Sequence, residues 1–411
     1  MNTIAANSFL ALPPFPIILT AGPADTGRTM SAVPTEPGTR LLHIGPHKTG
    51  TSAIQGALYL ARKRLAAEGV VYPGQGRTVL WPILAVTGQP PLHGEPQPKI
   101  SYWEDLVAQI AATGDQRVVL SSEFFAQSDD ATARRVVTDL GGDRVHVVVT
   151  LRPLTRILPS QWQQYIQNGF HFPYLEWLEG ILSDPPSTPT PGFWLRHRHD
   201  ELIARWAAVT GPENLTVIVV DEGDRLMLLR VFESMLALPE GFLVPEENAA
   251  NRSLSAAEAE LVRRLSEEFS RRDWPRRNYS KFMRYGVIEQ LKTGRRPAPD
   301  EARIATPAWA LDRAAAISAE MAVRIEELGV NIVGDISSLG KRPDGDRAEP
   351  ADPATLTLPV EAAALAALGA CIGGGAGGQT AEQLTGELDT RSLAGVLARR
   401  CRQRVRRVLP R

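Results

Sequence analysis

The 411 residues, 43 % apolar and 22 % charged with a formal net charge of −1, describe a globular chain. They exclude a fibre, a wholly disordered polymer and a global field that would gather nucleic acid. Two cysteines, Cys371 and Cys401, both fall in the last fifth of the sequence, which excludes a disulfide scaffold for the body and fits a reducing compartment.

Residues 1–38 are rich in Pro, Thr, Ala and Gly without a sustained period and are expected to form a disordered leader outside the fold. Within them FLALPPFPIILTAG, residues 9–22, is apolar but broken by prolines and preceded by no positive segment, which argues against a secretion signal. It reads as disordered or as a docking arm. No uninterrupted apolar run of about 18 residues occurs, so a spanning helix is not expected and the chain is read as cytoplasmic.

The folded body is expected over residues 39–340. Short β-branched runs alternate there with helix-length segments: LLHIG at 41–45, VVYPG at 70–74, RVVLSSE at 117–123, VHVVVTL at 145–151 and LTVIVVDE at 215–222. Strands apolar on both faces and separated by helices indicate a three-layer α/β domain, a parallel sheet flanked by helices, with a helical C-terminal part. The first helix carries Ile54, Leu58 and Leu65 on one stripe and has Gly69 as its stop. Ser255 and Glu258 give a capping-box signal ahead of Leu261, Val262 and Leu265, which predicts a helix over about 256–271.

Residues 341–390 join a charged, proline-bearing linker, KRPDGDRAEPADP, to the low-complexity Ala/Gly segment VEAAALAALGACIGGGAGG. In residues 391–411, Leu393, Leu397, Cys401, Val405 and Leu409 recur every four positions among eight arginines and no acid. That is the pattern of a basic amphipathic helix, with peripheral contact to a membrane surface as its expected role.

The stretch HIGPHKTGTS, His43–Ser52, joins the first strand to the first helix. Successive backbone N–H groups and the positive end of a helix suit an anion there, with phosphate or sulfate the natural guest. Gly50 lets the backbone come close, Thr51 and Ser52 add hydroxyl donors, and Lys48 adds a mobile charge. In the familiar nucleotide loop, G-x-x-x-x-G-K-[ST], the lysine follows the second glycine. Here it precedes Gly50 by two positions, which points away from ATP or GTP.

A second element stands at the fourth strand. Arg152 ends the strand, Pro153 suits a first helical turn, and Ser160 follows eight residues after Arg152. Ligands bind at the carboxyl ends of parallel strands. Two helical turns advance about 12 Å, so Arg152 and Ser160 touch one group only if the helix lies alongside it. Pro159 is expected to break or kink that helix.

With these elements the sequence resembles the sulfotransferase family that uses 3′-phosphoadenosine 5′-phosphosulfate (PAPS), most closely its bacterial and Golgi carbohydrate-sulfotransferase branch, over roughly residues 40–335. His47-Lys48-Thr49-Gly50-Thr51-Ser52 is similar to the family's 5′-phosphosulfate loop, written P-K-S-G-T-T in many members. Arg152 and Ser160 are similar to its 3′-phosphate element. SSEFF at 121–125, the VVDE strand end and FESMLALP at 232–239 add to the likeness.

The resemblance implies a nucleotide-binding fold of the P-loop type, transfer of a sulfuryl group from PAPS as co-substrate to a hydroxyl, and no metal. It implies that Lys48 stabilises the leaving oxygen, that Lys48, Thr49, Gly50, Thr51 and Ser52 hold the 5′-phosphosulfate, and that Arg152 and Ser160 hold the 3′-phosphate. The family's base is a histidine or a glutamate. Glu123, at the end of the third strand, sits where a parallel sheet presents catalytic groups, and His47, His93 and His171 are its rivals. In Golgi-type relatives the glutamate comes sooner after the loop, where this chain has VVYPGQG and no acid. The acceptor implied is a hydroxyl of a carbohydrate, glycolipid or small natural product. No specific nucleic acid is expected, and the oligomeric state is open.

Two other functional readings stand beside this one: a Mg²⁺-dependent kinase or NTPase on the same loop, and a non-catalytic membrane-associated scaffold acting through the arginine tail. Single residues have plainer roles as well. Arg152 can simply pair with an acid and Glu123 with a cation. His197 and His199, in RHRHD, read as a solvated helix start rather than a metal pair. Trp162 and Tyr165 read as core rather than as the wall of an acceptor cleft.

Overall fold

A computed structural model of the chain describes residues 33–91, 95–187, 190, 192–246, 252–342 and 349–375. Among them six strands form one sheet: β1 Arg40–His43, β2 Val70–Val71, β3 Arg117–Ser121, β4 Val145–Leu151, β5 Leu215–Val219 and β6 Asn331–Val333. All neighbours are parallel, in the order β2-β3-β1-β4-β5-β6, with Leu42 of β1 opposite Leu120 on one side and Val147 on the other. A parallel sheet puts every strand's carboxyl end at one edge. The segments after β1, β3, β4 and β5 therefore gather there.

The connections are helical. α1 Thr51–Ala67, α2 Leu80–Thr87, α3 Ser101–Ala111 and α4 Asp130–Asp139 precede β4. Between β4 and β5 come α5 Leu154–Gln167, α6 Tyr174–Leu182, α7 Gly192–His197 and α8 His199–Thr210. α9 Met227–Met235, α10 Ala256–Arg271 and α11 Arg276–Tyr279 follow, then a π-helix at Ser280–Ile288, α12 Glu289–Gly294 and α13 Ala308–Glu327. α14, Val360–Gly375, closes the described chain.

Alternate strand residues enter opposite layers, as a period of two requires. Leu42, Leu120, Val147 and Val149 pack with Trp103, Phe125 and Trp206 on one face. Leu41, Val119, Val148 and Ile218 pack with Ile54, Leu58 and Leu65 of α1 and Phe232 and Met235 of α9 on the other. A further core joins α5, α6, α10, the π-helix, α13 and α14 and makes up the helical C-terminal part.

Several boundaries differ from expectation. β2 holds two residues because Pro73 cannot donate to a ladder and Gly74 turns at φ 82°. β3 stops at Ser121, and Glu123 instead opens a 3₁₀ turn whose preceding Ser122 Oγ accepts from Phe124 N at 3.3 Å. β6 is three residues at the sheet edge, too short for its alternation to be read. α5 runs through Pro159 rather than ending there. α10 keeps the expected span and both halves of its capping box.

The fold begins before residue 39 and continues past 340. Thr35 N donates to Met235 O at 2.9 Å, and Arg117 Nε donates to Thr35 O at 2.9 Å. The Ala/Gly segment forms α14, which buries Ala362 and Ala366. Its glycines serve close approach: a Cβ on Gly369 would lie 2.5 Å from Gly286 O, and one on Gly373 would lie 2.5 Å from Lys281 O, both oxygens belonging to the π-helix. His197 and His199 are buried rather than solvated, at 0 % and 1 % exposure. Residues 1–32 and the stretch 391–411 lie outside the described residues. Among the described residues no helix is long and apolar enough to cross a membrane.

Candidate functional site

The loop from Ile44 to Gly50 crosses the carboxyl edge of the sheet with φ of 81° at Gly45, 68° at Lys48 and 107° at Gly50. A left-handed lysine is uncommon and is held only where surroundings determine it. Those surroundings lie beneath the loop. Thr49 Oγ1 donates to Pro46 O at 2.7 Å and lies 2.7 Å from Thr150 Oγ1, and Thr150 Oγ1 donates to Gly45 O at 3.2 Å. His43 ties the same group to β3, with Nε2 3.1 Å from Thr150 Oγ1 and Nδ1 2.8 Å from Ser121 Oγ. Burial holds the His43 imidazole down to about 3, so it is neutral. The hydroxyl of Thr49 thus faces the sheet, and only its backbone is left for a ligand.

Gly50 caps α1 with no side-chain partner, and no acid stands in the first turn. A Cβ at Gly50 would press within 2.8 Å of Leu228 Cδ2, so packing against α9 as well as its φ requires glycine. Thr51 is buried and its Oγ1 has no partner among the described residues. Ser52 is exposed, and its carbonyl accepts from Arg77 Nη2 at 2.6 Å.

Lys48 Nζ donates to Gln164 Oε1 at 3.1 Å. Burial, then the Lys292 charge and more weakly Arg152, push the ammonium down to about 8, against the opposing pull of Glu123. Arg152 reaches the same loop from the end of β4: its Nη1 donates to Lys48 O at 3.4 Å. Its Nε also donates to Glu222 Oε1 at 2.9 Å, and Arg156 Nε stands 3.6 Å from Glu222 Oε2. Arg152 therefore stands at the loop and has an acid partner at once.

Ser160 is half-buried on α5, its hydroxyl without a hydrogen bond among the described residues. It falls four residues after Arg156 and four before Gln164, so it shares the face whose neighbours reach Glu222 and Lys48. A cavity of about 590 Å³ opens beside the loop, walled by Gly50, Ser52, Arg77, Arg152, Glu222 and Leu228 among others. Lys48 and Ser160 are not among its walls.

Glu123 lies against the loop, its Cα 3.0 Å from where a Gly45 Cβ would stand. Burial raises its carboxyl above the usual range, against its own backbone amide, the Lys48 charge and a hydrogen bond from Gln55. His47 is half-buried, edge-on to Phe124, and accepts from Gln127 Nε2 at 3.3 Å. Enclosure, with the charges of Arg196 and Lys48, pushes it down to about 3. His171 sits beyond α5, stacked on Phe172, and makes no hydrogen bond to the loop among the described residues. His93 lies outside the described residues. Trp162 is buried core, and the Tyr165 hydroxyl accepts from Arg196 Nη1 at 3.4 Å.

Sequence reasoning gave no role to His43, Thr150, Gln55, Gln127 or Gln164, and quoted Glu222 only as part of the VVDE strand end. Glu222 alone carried a signal, as an acid at a strand end. The chain matches no protein-family model, and a search of curated proteins returns no match.

Proposed function

We propose that the protein transfers a sulfuryl group from PAPS to a hydroxyl of a carbohydrate, glycolipid or small-molecule acceptor. The observation that carries the reading is the meeting of Lys48 and Arg152 at one loop, 104 positions apart in the chain and joined by the contact between Arg152 Nη1 and Lys48 O. Backbone of alternating hand and an uncapped helix start supply donors at the same place, beside a buried Thr51 hydroxyl that has no partner among the described residues.

In this reading the acceptor oxygen attacks sulfur, the bond from sulfur to the 5′-phosphate oxygen breaks, and adenosine 3′,5′-bisphosphate leaves. The acceptor proton passes to Glu123, and the Lys48 ammonium offsets the charge on the leaving oxygen. Glu123 is preferred to His47 because an imidazole held at about 3 binds a proton too weakly near neutral pH, whereas a carboxylate lifted by burial is closer to the task. Arg152 and Ser160 would receive the 3′-phosphate, which exchanges with Glu222 for the guanidinium. A cytoplasmic location with peripheral membrane contact through residues 391–411 belongs to the same proposal.

Isothermal titration with adenosine 3′,5′-bisphosphate tests it. Binding is expected without added metal and should weaken at least about ten-fold in Lys48→Ala and in Arg152→Ala. No binding, or undiminished binding by both variants, refutes the reading. Asp221 and Glu222, which share the cavity with Ser52, favour a second one: a kinase or NTPase whose ATP binding requires Mg²⁺ and ignores a 3′-phosphate. The same titration with ATP, with and without Mg²⁺, separates the two.

A further inference from the structure

Phe269 and Trp274 form a wall common to two cavities at the end of α10. One, about 550 Å³, is walled by Leu261, Leu265, Phe282, Met283, Val287 and, from α14, Ala366, Ala367 and Ala370, with Asn278 its one polar wall residue among the described residues. The other, about 310 Å³, is polar and includes Asn168, His171, Ser270, Arg276 and Arg284, with Asp273 its carboxylate. Trp274 stands between them 49 % exposed, its ring edge-on to Phe269 with 4.8 Å between centroids. The Arg272 guanidinium lies 5.4 Å from the Trp274 ring centre, and the Lys281 ammonium 6.0 Å from that of Phe282.

Trp274 belongs to the corner RRDWPRR, residues 271–277, every one of which is exposed. Arg271 and Arg272 share Glu268, whereas no carboxylate lies within salt-bridge reach of Arg276, Arg277 or Lys281 among the described residues. Residues 268–281 thus set five cations, Arg271, Arg272, Arg276, Arg277 and Lys281, against two carboxylates, Glu268 and Asp273.

An apolar slot beside an arginine-bearing polar cavity matches an amphiphile with an anionic head. The alkyl chain leaves water in one, and the phosphate finds guanidinium donors in the other. Tryptophan and arginine on an exposed corner are also the residues that settle at the headgroup level of a bilayer. The arginine-rich tail of this chain does not suit the slot, because its eight arginines and no acid would meet a rim of the same sign. We propose that the corner binds an anionic phospholipid at a bilayer surface, with an acyl chain between α10, the π-helix and α14 and the phosphate against Arg276 and Arg284. This site does not rest on the reading of the loop at Lys48.

The test is flotation of the full-length protein with liposomes of phosphatidylcholine alone or with about 30 % phosphatidylglycerol. Arg276→Glu/Arg277→Glu reverses two exposed charges, and Ala367→Trp places an indole in the slot from an exposed position on α14. Flotation with the anionic liposomes only is expected, with partitioning lowered at least about ten-fold by either variant. Retained helical circular dichroism and melting temperature show that both variants fold. Titration with monomeric dodecyl phosphate should give binding that Ala367→Trp abolishes. Absence of flotation, flotation that neither variant changes, or dodecyl phosphate binding unaffected by Ala367→Trp overturns the proposal, the second outcome assigning the membrane contact to the tail.

Discussion

Acidification is expected to unfold this protein through three histidines that have no room for a proton. His43, His197 and His199 are at most 1 % exposed. His43 already has both ring nitrogens engaged by hydroxyls, and among the described residues neither nitrogen of His197 nor Nε2 of His199 has a partner. Burial holds His43 at about 3 and His199 at about 4, and drives His197 well below its ordinary value. In the unfolded chain each returns to about 6.5. Since the folded values are depressed, their contribution is complete above pH 6.5 and is lost as pH falls from there toward the folded values. In that window the unfolded chain binds one more proton per histidine, a slope of ~1.4 kcal/mol per pH unit for each. Between pH 6.5 and 5 this amounts to ~2 kcal/mol each and ~6 kcal/mol for the three, a large part of the ~5–15 kcal/mol of an ordinary domain. Urea unfolding at pH 7.5 and at pH 5 measures the loss. His43→Gln should be less stable than the parent at pH 7.5, because Ser121 and Thr150 lose their ring partner, yet should lose ~2 kcal/mol less on acidification. A urea midpoint that does not move between the two pH values refutes the reasoning, as does a variant that keeps the full parental slope.

Three further outcomes follow from the loop and the π-helix. If the Lys48 ammonium stabilises the leaving oxygen, kcat/KM should fall as pH rises through about 8, where the free protein loses that proton, while kcat, measured with donor bound, falls at higher pH; a pH–rate profile from 6 to 10 reads both. Glu222→Gln should tighten adenosine 3′,5′-bisphosphate by roughly three- to ten-fold, because a carboxylate no longer competes for Arg152, and titration calorimetry measures it. Gly369→Val should destabilise by ~2 kcal/mol or more, since its side chain must displace the Gly286 carbonyl, and the shift in urea midpoint reports it.

The sheet was legible because burial on both faces leaves a continuous apolar run, and β4 and β5 were found where VHVVVTL and LTVIVV stand. Local chemistry also gave α10, whose Ser255 and Glu258 satisfy each other over three residues. β6 escaped because three residues at a sheet edge carry no periodicity. α14 escaped because Ala/Gly composition looks the same in a linker and in a helix whose glycines exist for close packing. In the loop, spacing marked Lys48, Gly50 and Arg152. It could not show that the Thr49 hydroxyl turns to the sheet, or that Gln164 and Glu222 partner the two cations, because those contacts join segments more than a hundred or some seventy residues apart. The buried His197 and His199 were hidden for a similar reason: the arginines between and beside them suggest solvent, while the surrounding core supplies Phe193 at 4.7 Å from the His197 ring centre.

The two cations at the loop are held in different ways, and the difference bears on what the site can accept. Arg152 has a carboxylate, Glu222, as its resting partner. Lys48 has an amide oxygen, and among the described residues no carboxylate lies within salt-bridge distance of its ammonium. Burial of a charge is unfavourable unless an opposite charge or several hydrogen bonds answer it, and one amide does not supply that. The nearby Glu123 pulls the other way on the ammonium, and burial raises its own carboxyl. Lys292 adds a second positive charge that bears on the ammonium. The loop therefore holds an excess of positive charge at the uncapped start of α1, where backbone donors are already free. An anion with two charged ends would neutralise Lys48 directly and take Arg152 in exchange for Glu222.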